Sequence, residues 1–190
     1  MNRLDIIRHL IKKIDAKSYL EIGVFTGFVF DHISCPHKVG VDPCKNSAAT
    51  IYKTSDDFFL TNSETFDVIF IDGLHHEEQV LMDINNSIKV LNTNGYIVCH
   101  DMNPDREIIQ KVPRETDEWT GDCWKAWVKL RASRNDLDMM VVDTDYGCGI
   151  ISRGNQKTIH TDCDLNWKNF SKHKKEWLNL VSVDEFRELL

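Results

Sequence analysis

The sequence predicts a doubly wound α/β fold, in which helices cover both faces of a mostly parallel sheet. Short apolar stretches alternate with helical patterns through the first half of the chain, which is typical of this class. The run 66–72 is almost continuously apolar, as a strand buried on both faces requires. Two later apolar stretches, 137–142 and 149–152, are separated by a short link and indicate a closing antiparallel hairpin.

The composition fits a globular chain with one domain over residues 1–190. Hydrophobic residues make up 42% and charged residues 28% of the 190 positions, which is ordinary for such a chain and allows a sizeable core. The net charge is −7, from 23 basic and 30 acidic residues. Because a nucleic-acid surface needs a basic patch, this charge disfavours nucleic acid as a partner.

The cysteines and the apolar segments indicate a cytoplasmic protein with no membrane partner. The six cysteines form no C-x-x-C pair and no zinc-ligand spacing, and reduced thiols are the simplest account of them. We find no N-terminal signal segment and no apolar run that could cross a bilayer. The sequence leaves a homo-oligomer open.

Helices are predicted between the strands and at both ends of the chain. The first, at 3–14, is amphipathic, with Arg3 among the basic residues opposite its apolar face. The chain ends in a helical tail over 164–190, in which Ser182 starts a capping-box pattern for a last helix. The other helical patterns lie at 28–33, 45–50, from 55 onward, at 77–91 and at 122–132.

Seven strands are predicted, and a long polar segment interrupts the pattern after the fifth. This segment, 103–120, carries two prolines, and a loop of its length in a compact domain is usually functional or mobile. With Trp119 near its end it is a candidate lid over an acceptor, and a plain surface insertion is the alternative. The strands lie at 18–22, 38–42, 51–54, 66–72, 96–99, 137–142 and 149–152.

The stretch after the first strand carries the pattern E-x-G-x-x-x-G, formed by Glu21, Gly23 and Gly27 with Thr26 between the glycines. A glycine at a strand end lets the backbone turn sharply and approach a ligand closely. In a dinucleotide fingerprint a glycine would stand where Glu21 stands, and a carboxylate there would repel a pyrophosphate. It suits a ligand with positive charge, such as S-adenosylmethionine, although a turn that binds nothing is the alternative.

At these residues the sequence resembles class I S-adenosylmethionine-dependent methyltransferases. The resemblance implies a Rossmann-like fold with a seven-stranded sheet, and a cofactor site that includes Glu21, Gly23, Thr26 and Gly27. It makes S-adenosylmethionine the expected cofactor.

Asp42 lies 19 residues after Gly23, at the end of the second predicted strand. An acid about 20 residues past a glycine turn can accept hydrogen bonds from both ribose hydroxyls. The alternative is that Asp42 only forms the turn before Pro43. In the resembled family a residue after the third strand contacts the adenine amino group. Ser55 or Asp56 would fill that place, and either could also cap the helix that starts there.

Acids and imidazoles follow two strands that are predicted to be neighbours. Asp72 and His75 come after the run 66–72, and His100 and Asp101 follow the next strand. Because neighbouring strand ends lie about 5 Å apart in a parallel sheet, the two clusters should meet. Acids and imidazole at one place suggest a hard divalent metal or a general base.

The pattern D-G-x-H, followed by H-D at the next strand end, sharpens the resemblance. It is similar to the branch that contains macrocin-type sugar O-methyltransferases and cephalosporin-hydroxylase-like proteins (methyltransferase domain 24-like). The branch implies Asp72 and Asp101 as ligands of magnesium or manganese, Asp72 also beside the cofactor, and His75 as the base. His100 stands where metal-using members have a glutamate. Because of this departure, two alternatives stay open: a softer metal, or a metal-free mechanism in which His75 or His100 is the base.

Together with these patterns, the resemblance implies S-adenosylmethionine-dependent O-methylation of a small-molecule or sugar hydroxyl. Two alternatives stay open. One is a metal-dependent hydroxylase or hydrolase built on the same fold, and the other is a nucleotide-binding module without catalysis.

Overall fold

The computed structural model describes residues 1–190, which form six α-helices around one seven-stranded sheet. The helices are α1 (Arg3–Ile14), α2 (Ser55–Thr61), α3 (Glu77–Val90), α4 (Cys123–Ser133), α5 (Trp167–Leu178) and α6 (Val183–Leu189). The strands are β1 (Ser18–Ile22), β2 (His37–Val41), β3 (Phe66–Ile71), β4 (Leu91–Cys99), β5 (Leu137–Val142), β6 (Cys148–Arg153) and β7 (Leu180–Val181).

The strand order across the sheet is β2-β1-β3-β4-β6-β5-β7. The first four strands in this order are parallel, and β6 runs antiparallel to both β4 and β5. This confirms the predicted α/β class with its mostly parallel sheet and its antiparallel hairpin. None of the helices is long and apolar enough to span a membrane.

The sheet is buried on both faces, because alternate residues of each central strand enter different core clusters. In β3, Ile69 belongs to the cluster that contains Trp127, whereas Phe70 belongs to the cluster that contains Ile7 of α1. A strand with two buried faces has a nearly continuous apolar sequence. For this reason β3 is the strand that is easiest to recognise in the sequence.

The register of the central strands brings three loop starts together. Ile22 pairs with Ile71, and Ile71 pairs with Cys99, so β1, β3 and β4 end at the same level. The N–H of Asp72 donates to the carbonyl of Ile22 at 2.8 Å, and the N–H of His100 donates to that of Ile71 at 3.0 Å. The residues that follow these strands therefore face one crevice.

Three predicted local elements are wrong. The stretch 51–54 is not a strand, because only Ile51 reaches the sheet and it makes a single bridge to Val41. The seventh strand is instead β7, at the opposite edge beside β5, so the C-terminal tail is not wholly helical. The stretch 45–50 is a series of turns in which Ser47 Oγ donates to the carbonyl of Cys44 at 2.7 Å. Such a local hydrogen bond competes with the helix.

The N-cap of α2 is Thr54, not Ser55 or Asp56. Its hydroxyl oxygen accepts from the N–H of Asp57 at 3.1 Å. Ser55 and Asp56 are the first helical residues, so the capping alternative does not explain their side chains. The predicted capping box of the last helix is confirmed, since Ser182 and Glu185 cap each other's backbone.

Candidate active site

A single large cavity of about 840 Å³ opens over the carboxyl ends of the central strands. It is lined by loops that follow β1, β2, β3 and β4, by the first turn of α2 and by part of the segment 103–120. Nearly all the residues singled out in the sequence line it: Glu21, Gly23, Thr26, Asp42, Ser55, Asp56, Asp72, His75, His100 and Asp101.

The two glycines of the first loop are required by the backbone itself. Gly23 has φ +86°, and a methyl group there would lie 2.2 Å from the carbonyl oxygen of Asp72. Gly27 has φ +82°, and a methyl group there would lie 2.6 Å from Cβ of Ala48. Gly23 therefore lets the loop lie directly against the end of β3, while Gly27 packs behind the cavity instead of lining it.

Glu21 is a buried carboxyl group inside the sheet. Its side chain accepts a hydrogen bond of 2.5 Å from the hydroxyl of Tyr19, and the residue is 1% exposed. Burial, with a smaller contribution from the charge of Asp72, raises the pKa of Glu21 to about 8. The carboxyl group is therefore mostly protonated at neutral pH until a positive charge arrives beside it.

Asp42 shapes the first loop and also faces the cavity. One carboxylate oxygen accepts from the N–H of Phe25 at 2.9 Å, and the other accepts from that of Cys44 at 2.8 Å. Each oxygen can still accept a second hydrogen bond. The structure thus supports the turn-forming role of Asp42 and leaves it free to bind a hydroxyl.

A polar group at the other end of the cavity includes two residues that the sequence analysis missed. The side-chain amide of Gln79 donates toward Ser55 Oγ at 3.1 Å, Asp56 Oδ1 at 3.2 Å and Asp83 Oδ1 at 3.1 Å. Asp83 is 1% exposed, and burial raises its pKa to about 6. Asp83 lies next to Ile84 on the buried side of α3, and an acid on an apolar helix face was the sequence signal that could have found it.

His75 lies between two carboxylates. Its Nε2 is 3.1 Å from Asp72 Oδ1, and its Nδ1 is 3.2 Å from Asp101 Oδ2 and 3.1 Å from the carbonyl of Trp119. Burial alone would lower the pKa of His75, but the hydrogen bond to Asp72 and the charge of Asp101 raise it above its usual value. The two carboxylates therefore favour the protonated form of the imidazole.

His100 is more deeply buried, at 5% exposure, and contacts the same carboxylates. Its Nδ1 is 3.1 Å from Asp101 Oδ2 and 3.5 Å from Asp72 Oδ1, while Nε2 is 3.5 Å from Asp145 Oδ1. Burial would lower the pKa of His100, but the charges of Asp72 and Asp101 raise it well above the usual range. The predicted meeting of the two strand-end clusters is confirmed by these contacts.

Arg3 corrects the sequence analysis, which placed it on the solvent side of α1. Its Nη1 donates to Asp72 Oδ2 at 3.0 Å, and its Nε donates to Asp145 Oδ2 at 2.9 Å. Asp145, in the turn between β5 and β6, was also missed. Arg3 is the first residue of its helix, so helical periodicity does not fix its direction, and its partners lie 69 and 142 positions away.

Comparisons with known proteins agree with this fold. Residues 37–102, which include Asp42, Asp72, His75 and His100, match a family model described as a methyltransferase domain. The chain has a class I methyltransferase fold. No curated protein sequence matches it significantly.

Several solved structures share the methyltransferase fold at low sequence identity. The O-methyltransferase TomG from Streptomyces achromogenes, in complex with SAM, is 14% identical over 80% of each chain, with a TM-score of 0.60. An O-methyltransferase from Bacillus cereus in complex with SAH is 15% identical, over 78% of this chain and 79% of that one, with a TM-score of 0.57. The SAH-bound Podospora anserina methyltransferase PaMTH1 is 16% identical, over 80% of this chain and 78% of that one, also with a TM-score of 0.57.

The metal that the resembled branch uses does not fit the donor atoms well. Asp72, His75 and Asp101 each offer a ligand atom within 4.8 Å of the others. However, both oxygens of Asp72 already face nitrogen donors, and Asp101 Oδ2 faces both imidazoles. Imidazole is also a poor ligand for magnesium. A divalent cation would have to displace these contacts.

The segment 103–120 covers the site through Trp119. The indole stacks on the ring of His75 with centroids 5.5 Å apart and donates to the carbonyl of Lys111 at 2.7 Å. The N–H of Thr120 donates to the carbonyl of Ile109 at 2.9 Å. The segment therefore has hydrogen bonds within itself as well as a contact with the site. Its place over His75 supports the lid hypothesis, which stays a prediction.

Proposed function

We propose that the chain transfers a methyl group from S-adenosylmethionine to a hydroxyl group of a small-molecule or sugar acceptor. The observation that carries this proposal is that one cavity joins Glu21, Asp42 and the pair of Asp72 and His75. The proposal is supported because a buried acid, a carboxylate that can accept hydrogen bonds from ribose hydroxyls, and an imidazole line one crevice at the strand ends. Ligands bind at this position in such sheets.

The amino-acid part of the cofactor would lie beside Glu21 and Gly23. An ammonium group next to Glu21 would favour the ionised carboxylate. Asp42 would accept from the ribose hydroxyls, while Thr26 and Gly27 would keep the loop in place. At the far end, Ser55 and Asp56 would contact the adenine.

The acceptor hydroxyl would enter beside Asp72 and His75. Its oxygen attacks the methyl carbon in line, so the O–C bond forms while the S–C bond breaks, and the hydroxyl proton passes to His75. His75 can serve as this base once its imidazole has lost one proton. Alignment can contribute about 7–11 kcal/mol in favourable cases, and a general base on the order of 10²–10⁴-fold. His100, more buried, is the alternative base.

The remaining assignments belong to the same proposal. They are one domain over 1–190, the segment 103–120 as acceptor lid, a cytoplasmic location, and neither nucleic acid nor membrane as partner. A homo-oligomer stays open. The acidic composition, with a net charge of −7, supports the absence of a nucleic-acid partner.

The test is a calorimetric titration with S-adenosylhomocysteine. We expect micromolar binding that is lost in Glu21→Ala and in Asp42→Ala. Glu188→Ala, an exposed acid on α6, is the matched control and should bind as the wild type does. Absence of binding by the folded wild type contradicts the proposal. Acceptor screening with labelled cofactor then follows.

The proximity of Asp72, His75 and Asp101 favours one second candidate, a metal-dependent hydroxylase or hydrolase. That reading predicts metal binding without S-adenosylhomocysteine binding, and tolerance of Glu21→Ala. The same titrations, repeated with manganese, separate the two.

A further inference from the structure

The guanidinium of Arg3 joins three parts of the site. It donates to Asp72 after β3, and its Nη1 lies 3.3 Å from Nδ1 of His100 after β4. Toward the turn between β5 and β6, the backbone N–H, Nε and Nη2 of Arg3 all donate to the carboxylate of Asp145, at 2.9, 2.9 and 3.2 Å. No other basic side chain of the chain contacts these two carboxylates apart from the histidines.

We propose that Arg3 takes the place of a divalent cation at this site, as a positioning residue that makes ligand binding and methyl transfer independent of metal. The part that concerns methyl transfer rests on the proposed function. The part that concerns metal does not, since it follows from charge and contacts alone.

The carboxylate oxygens of the cluster already have nitrogen partners without a metal. Three carboxylates, those of Asp72, Asp101 and Asp145, face one guanidinium and two imidazoles at 2.9 to 3.5 Å. A dication placed among them would stand within a few ångströms of Arg3, where like charges repel strongly in a partly buried site. It would also have to replace hydrogen bonds at the oxygens it needs as ligands.

The geometry shows what Arg3 does for Asp72. Because Arg3 holds Oδ2, the other oxygen of Asp72 is left pointing at His75 and the cavity. The fork of Arg3 is itself fixed by Asp145, and a planar guanidinium loses little freedom in such paired contacts. A metal bound to Asp72 would orient the carboxylate in a comparable way.

The experiment is a titration of the full chain with Mn²⁺ alone, followed by electron paramagnetic resonance of the free ion. We expect the wild type to bind Mn²⁺ no tighter than millimolar. Arg3→Met removes the charge but keeps an aliphatic stem, and it should bind Mn²⁺ at least tenfold more tightly. Arg3→Lys should return the affinity toward the wild-type value. Arg8→Met, on the same helix but bonded only to the carbonyl of His32, is the control and should not change it.

Two outcomes overturn the inference. One is micromolar Mn²⁺ binding by the wild type that is lost in Asp72→Asn, and the other is no gain of affinity in Arg3→Met. If Arg3→Met does not fold, Arg3→Gln is the second variant, because it also removes the positive charge beside Asp72, and the same gain is expected there. S-adenosylhomocysteine titrations on the same samples report on the proposed function separately, since their failure would leave the Mn²⁺ result unaffected.

Discussion

The hydroxyl of Tyr19 donates a 2.5 Å hydrogen bond to the carboxyl group of Glu21 inside the sheet. Both residues lie on β1, two positions apart, and both are buried. This arrangement keeps an ionisable group where its charge is costly, so its protonation should depend on whether a ligand is bound.

Glu21→Gln should stabilise the ligand-free protein at alkaline pH. The pKa of Glu21 is about 8 in the folded chain and close to its ordinary value, about 4.3, in the unfolded chain. Between these values the folded state binds the extra proton, so stability falls as pH rises and the loss is complete above pH 8. Each unit of difference between the folded and unfolded pKa changes the free energy of unfolding by about 1.4 kcal/mol. Glu21→Gln should therefore raise the free energy of unfolding by a few kcal/mol at most. Urea unfolding at pH 5 and pH 8.5 measures this, and an equal difference at both pH values would contradict it.

Binding of S-adenosylhomocysteine should strengthen with pH. If its ammonium requires ionised Glu21, each unit of pH below about 8 should weaken binding by up to about tenfold. Calorimetry at pH 7 in buffers of different ionisation enthalpy should show release of a proton. Glu21→Gln should bind weakly and without this pH dependence, and a flat profile for the wild type would argue against contact between Glu21 and the ammonium.

Gly23→Ala should destabilise the protein strongly, whereas Gly73→Ala should not. At Gly23 a methyl group would lie 2.2 Å from a backbone oxygen at φ +86°, while at Gly73 its nearest neighbour would be 3.5 Å away in the side chain of Ile22. We expect a loss of about 2–4 kcal/mol or more for Gly23→Ala and less than about 1 kcal/mol for Gly73→Ala. Thermal unfolding compares the pair, and equal effects would refute the steric argument.

Gln79→Ala should weaken binding at the adenine end of the cavity. Its amide is the donor shared by Ser55, Asp56 and Asp83, and its loss would leave three acceptors without it. We expect S-adenosylhomocysteine affinity to fall on the order of tenfold, since one hydrogen bond contributes about 0.5–1.5 kcal/mol and an unsatisfied buried group costs more. Glu78→Ala, the exposed neighbour on α3, is the control. An unchanged affinity would place the adenine elsewhere.

The sequence predicted those features that are set by local pattern. β3 was recognisable because burial on both faces makes it apolar throughout, and the strand-end residues Asp72 and His100 followed from the parallel register. The stretch 51–54 and β7 were misjudged because each makes only one or two pairings, too few to leave a periodicity. Arg3 and Asp145 were missed for a different reason. Their contact joins the first helix to a hairpin turn far along the chain. A local sequence pattern does not indicate a contact between residues so far apart in the chain.

The position of β6 between β4 and β5 has a consequence for synthesis on the ribosome. A nascent chain of about one hundred residues already carries the side chains proposed to hold the cofactor, including Glu21, Asp42 and Asp72. The partner that fixes Arg3 is translated only later, on the hairpin that completes the sheet. Arg3 can therefore meet Asp145 only after the hairpin has been synthesised, so the acidic cluster is completed late in translation.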